Sequence, residues 1–140
     1  MKRLLLPLAL AGGLTACAAT REALSPSACE IGAPAKMVQL FFGRSAASGI
    51  RVSDAAWQAF VDGVVTSSFP EGFTVLDAQG LWRDPQTRNV MQEHSKLIVV
   101  SVPTATVSIP VRVAPIIAAY KARFSQQSVG VVVTDACAAF

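Results

Sequence analysis

The sequence predicts an α+β fold, in which a four-stranded antiparallel sheet carries two helices on one face. Three observations lead there. The apolar period changes along the chain in the order strand, helix, strand, strand, helix, strand. Clusters of Gly, Pro, Ser and Asp separate the periodic segments. Two of the three cysteines, Cys29 and Cys137, bracket the first and last of these segments.

The first strand is MVQLFFG (37–43), with Val38, Leu40 and Phe42 on one face and Met37 and Phe41 on the other. Ser53 then has the side chain of a helix N-cap, and Val52 can staple against Trp57 across it. Trp57, Phe60, Val61 and Val64 fall at i, i+3, i+4 and i+7, one buried stripe. Phe69-Pro70-Glu71-Gly72 is a turn, and FTVLDA (73–78) a second strand that continues to Trp82 past a bulge at Gly80. The polar run DPQTRN (84–89) makes a hairpin to KLIVVSV (96–102), which is apolar on both faces as a central strand should be, and which Pro103 ends. Val113, Ile116, Ile117, Tyr120 and Phe124 form the second helical stripe; Pro115 is tolerable in a first turn, which starts that helix near Arg112. SVGVVVT (128–134) is the fourth strand.

This element order is the ferredoxin-like βαββαβ pattern, with sheet order 4-1-3-2. The start of strand one then lies beside the end of strand four, which brings Cys29 and Cys137 together. In an exported chain two such cysteines form a disulfide; the alternative is two inert buried thiols. Two cysteines and the lone His94 do not make a zinc site, and no cofactor motif is present.

Export is read from the start of the chain. Lys2 and Arg3 precede an apolar run from Leu4 to Leu14, too short for a span of roughly 20 residues. Leu14-Thr15-Ala16-Cys17 resembles the end of a bacterial lipoprotein leader. That resemblance implies a signal peptide over 1–16, a lipid on Cys17 and membrane attachment through it, whereas plain cleavage at the small residues around Cys17 would release a soluble protein. Ala18 stands where an inner-membrane retention aspartate occurs in such proteins, so the resemblance implies a periplasm-facing outer-membrane lipoprotein. Residues 17–35 read as a tether and 36–140 as the domain. Lys2 and Arg3 leave with the leader, which cuts twelve basic residues to ten against nine acidic ones, and nothing then points to nucleic acid.

The motifs WQAF, FPEGFTVLDAQG-LWR, EHSK, AYKARF and the closing CAAF resemble a bacterial family known only as domain of unknown function 3574, over roughly 37–140. Members often carry lipoprotein-type leaders. The family has no established activity, so the resemblance brings no catalytic residues. TSS at 66–68, in place of a basic residue, and an apolar start to helix two depart from its pattern.

The residues themselves offer three surfaces. Arg44, Arg83, Lys96, Lys121 and Arg123, with Arg51 and Arg88, map to the end of the sheet away from the cysteines, against Asp54, Asp84 and Glu93. Such a cap suits an anionic ligand or acidic partner, although solvated loop charges give the same pattern. Trp82 and His94 are candidate pocket residues; Trp82 reads first as core, and His94 as an exposed histidine able to pair with Glu93 or Asp84. Ser95 and Lys96 point to opposite faces of a strand, which argues against a Ser–Lys catalytic pair. Finally, the face bearing Met37 and Phe41 is too apolar for solvent, and a second copy, another protein or the N-terminal segment should cover it. The leading expectation is a non-enzymatic binding or envelope-structural module; the alternative is a small enzyme of the dimeric α+β barrel type, with a pocket between sheet and helices.

Overall fold

A computed structural model describes residues 29–45, 51–83, 87–104 and 108–140. The leader, Cys17, residues 18–28 and Asp84 lie outside the described residues. Four strands, β1 (Ala33–Gly43), β2 (Thr74–Arg83), β3 (Val90–Pro103) and β4 (Gly130–Ala138), form one sheet in the order β2-β3-β1-β4 with antiparallel neighbours. This is the ferredoxin-like order the sequence predicts. All strands run longer than their apolar runs. β1 starts at Ala33, so residues 29–35, expected in the tether, belong to the fold. Cys137, expected just after the last strand, lies within β4 opposite Pro34.

Helix α1 is composite, α-helical over Asp54–Phe60, π-helical over Val61–Val65 and α-helical again over Thr66–Ser68. Ser53 caps it by accepting the Ala56 N–H, and Val52 and Trp57 are both buried at its start. The π stretch changes the expected stripe. An i→i+5 bond runs from the Thr66 N–H to the Val61 carbonyl, and the Thr66 hydroxyl donates to the same oxygen. A wider turn carries the next inward position from Val64 to Val65, which is fully buried, and Val64 is left at the margin.

Helix α2 (Ile109–Phe124) begins earlier than expected, because Pro110 takes the first-turn place that Pro115 was expected to hold. Pro115 instead sits inside the helix, on its exposed side. The intrahelical bond it removes is the one to exposed Val111, where water can take the donor's place. Arg112 grips Glu71 with two 2.8 Å hydrogen bonds and lies over the Phe69 ring, which joins the start of α2 to the turn before β2. That pair holds the Glu71 carboxyl well below the usual range, at about 2.

The hydrophobic core lies between the helices and one face of the sheet. Its centre is aromatic: Phe42 meets Tyr120 at 4.8 Å and Trp57 at 5.2 Å between ring centroids, and Phe60 meets Tyr120 at 5.0 Å, all edge-on. Edge-on contact aligns ring edges with ring faces, adding to the area each ring buries. The β2–β3 register is continuous from Thr74↔Val99 to Arg83↔Val90, so the bulge expected at Gly80 is absent.

At the far end the Cys29–Cys137 disulfide is present, with Cα atoms 5.6 Å apart. Gly32 follows at φ 77°, and a Cβ there would sit 2.1 Å from the Ala138 carbonyl oxygen, so only glycine fits. Residues 29–140 thus contain all four strands, both helices, one contiguous core and the disulfide, the makings of an independent folding unit.

Candidate functional site

Alternation along the strands sorts the polar residues onto two faces. Val38, Leu40 and Phe42 face the helices, and at the exit of β1 this face continues into Arg44, with His94, Lys96, Asp77 and Gln79 on the neighbouring strands. Arg44 is 4 % exposed. Its Nε donates to the Val52 carbonyl at 3.0 Å and Nη2 donates to the same oxygen at 2.5 Å, while Nη1 pairs with Asp54 at 2.8 Å. Its backbone is held as well, the N–H donating to His94 and the carbonyl accepting from Val52. Arg44 therefore binds the start of α1 to the end of β1. The guanidinium is engaged, and what the sequence suggested as an anion ligand holds the fold together here.

Lys96 has a partner too. It stands opposite Asp77 in the β2–β3 ladder, and the pair closes to 2.5 Å. The hydrogen bond from Lys96, then its charge, lowers the Asp77 carboxyl below its ordinary range. Two cations thus face two carboxylates. Gln79, opposite His94, accepts a hydrogen bond from Gln92 at 3.1 Å. An open cleft of about 290 Å³ is lined by Arg44, Asp77, Gln79 and His94. A neighbouring hollow of about 530 Å³ is lined by Asp54, Trp57, Val75 and Lys96. Both are open to solvent, and the space between sheet and helices is filled by the core.

Other expected site residues are dispersed. Arg83, Lys121 and Arg123 are exposed, with Arg123 lying over the Phe124 ring. The Tyr120 hydroxyl donates to the Gly43 carbonyl at 2.8 Å, which fixes the last turn of α2 at the Arg44 end, as the topology requires. Glu93 does not pair with His94 or Lys96, which occupy the opposite face. It lies over Gly43 and accepts the Ser45 N–H at 3.0 Å; a Cβ on residue 43 would meet its Oε1 at 2.5 Å. The residue that sequence reasoning passed over is Asp77. Its signal was present, since hairpin register from the 84–89 turn sets it opposite Lys96. Among the described residues no group of three or more His, Cys, Asp or Glu side chains is placed to hold a metal ion.

Trp82 and His94 do not share a pocket. Trp82 stands opposite Met91 on the helix-free face, 47 % exposed, so its expected place in the core is also overturned. The reason is register: without a bulge at Gly80, alternation along the edge strand β2 sets Trp82 on the side of Leu76, and among the described residues no helix or strand packs on that side. Across that face Leu76 (44 % exposed), Phe41, Met91 and Val132 are exposed, and Met37, Leu97 and Val99 are half-buried among them. Glu93 is the one ionisable residue among the described residues of this face.

Comparisons with known proteins support the fold and stop short of an activity. A family model described as "Protein of unknown function (DUF3574)" matches residues 37–140. No curated protein matches the sequence. Among solved structures, a phage SAM lyase in complex with S-methyl-5'-thioadenosine is similar at 14 % identity and TM-score 0.52, covering 81 % of this chain and 97 % of that one. A phage SAM lyase in the apo state is similar at 14 % identity and TM-score 0.55, covering 77 % and 86 %. At that identity the likeness is one of fold.

Proposed function

The chain belongs to the DUF3574 family, whose description names no activity, and from that premise we propose that it is a protein-binding module of the cell envelope, held to the outer membrane by lipid on Cys17. One observation carries the binding reading: large apolar side chains remain exposed together on the helix-free face of the sheet. Leaving such a face in water is costly, and contiguous apolar area of this kind marks contact surfaces. The ionisable groups of the opposite face support it in the other direction, since Arg44 and Lys96 are bound to Asp54 and Asp77. The anchor rests on the leader and on Leu14-Thr15-Ala16-Cys17.

The test is site-specific photo-crosslinking in intact cells, with a photoreactive residue at Leu76 on the helix-free face or at Val111 on exposed α2. Protein adducts from Leu76 and none from Val111 are expected, on a chain whose first residue is an acylated Cys17 by mass. Equal labelling from both positions would sink the binding reading, and an unmodified Cys17 would sink the anchor.

A second reading, a small enzyme, draws on the cleft lined by Arg44, Asp77, Gln79 and His94. The phage lyase structure with S-methyl-5'-thioadenosine suggests a probe. Saturable heat on titrating that nucleoside into the protein, lost in His94→Ala, would favour this reading.

A further inference from the structure

We propose that the occupant of the helix-free face is a second copy of this chain, the two sheets stacked face to face about a twofold axis. This rests on the reading of that face as a protein-binding surface and names its partner.

Charge is the first argument. A twofold contact sets a patch against itself, so a net charge on the patch is repelled by the same charge on its copy. A partner of different sequence carries no such restriction, and acidic or basic residues on this face would then give specificity. Among the described residues the face instead carries a single ionisable side chain, Glu93, half-buried at one end and already accepting the Ser45 N–H. By contrast, the helix-side face carries Lys36–Asp135, Arg44–Asp54 and Lys96–Asp77.

Size is the second. Four strands about 4.8 Å apart, paired over about nine residues of about 3.4 Å each, span roughly 600 Å² in projection, and side-chain relief adds to that. A stable interface takes about 800 Å² from each partner, within reach of this face when two copies stack at the usual sheet spacing of about 10 Å.

The third concerns the competing occupant within the chain. Residues 1–28 join the described structure at Cys29, whose disulfide partner Cys137 shares the helix-side face of β4 with Val133 and Asp135. Cys29 is therefore tied to the helix side of the sheet, away from the exposed apolar face.

Sedimentation equilibrium of residues 29–140 at concentrations up to tens of micromolar tests this. A dimer is expected, and Leu76→Glu and Val132→Glu, on opposite edge strands, should each raise its dissociation constant at least about tenfold while circular dichroism stays native, since each buries an unpaired carboxylate in the contact. Val111→Glu should sediment as the parent does. A parent that remains monomeric throughout, or a dimer indifferent to both face variants, would overturn the proposal. Should the parent be monomeric while Leu76 still crosslinks selectively to another protein, the dimer fails and the binding reading stands; a monomer with no selective crosslink removes both.

Discussion

Tyr120, the single tyrosine of the chain, shows how burial writes itself onto one group. Its ring lies at the centre of the aromatic core and its hydroxyl reaches the Gly43 carbonyl. Burial raises its pKa to about 12 from 10.0; the nearby Arg44 charge opposes that and Glu93 adds to it. The sign for stability follows. Below the ordinary value the phenol is protonated in both states and its contribution is intact; as pH rises from there towards about 12 the unfolded chain releases the proton first, and stability is lost. With one tyrosine the phenolate absorbance is unambiguous: in the folded protein it should appear only near pH 12 or as the chain unfolds. An ordinary midpoint in a chain still folded by circular dichroism would show that solvent reaches the hydroxyl. Tyr120→Phe should cost about 0.5–1.5 kcal/mol through the lost hydrogen bond. Sequence made Tyr120 legible as a core residue through its helical spacing. Arg44 was not legible in this way, because its burial depends on Asp54 and the Val52 carbonyl, which no local pattern brings to it.

At the scale of elements, the helices are where local signals and outcome diverge. Ser53 and the apolar stripe placed α1, yet the π turn that shifts burial from Val64 to Val65 has no periodic signature, since it answers to packing against the sheet. The end of α2 is informative too. Ser125 stands there in the left-handed region, φ 53° and ψ 37°, with its N–H donating to the Lys121 carbonyl. That position is commonly glycine, because a Cβ is strained there. Ser125→Gly should therefore stabilise the protein by about 0.5–1 kcal/mol, visible as a rise of a few degrees in Tm. The side chain is exposed, so little else changes. An unchanged or lower Tm would mean that the serine itself stabilises the cap. Charges on the strands followed the same division: hairpin register set Lys96 against Asp77, while the faces allotted to Trp82 and His94 became visible only with strand length and helix cover.

For the whole molecule, the two crossovers and the disulfide act together. β1 and β4, first and last in sequence, are neighbours, and the bridge closes a separation of 108 residues beside their ladder. Such a closure restricts the unfolded chain, so Cys137→Ser should lower stability by about 2–5 kcal/mol in denaturant titration. Titratable free thiols at Cys29 and Cys137 in the native oxidised protein would instead show that the bridge does not form. The same sheet that draws the chain ends together leaves its other face uncovered among the described residues.

The sequence by itself determined the element order, and with it the sheet order and the meeting of Cys29 with Cys137, because hydrophobic period is local and few topologies satisfy it. Tertiary structure alone decided that Arg44 is buried against Asp54, which turn of α1 widens and which side of the sheet Trp82 occupies. These depend on residues far apart in the chain approaching within a few ångströms, and neither composition nor periodicity encodes that approach.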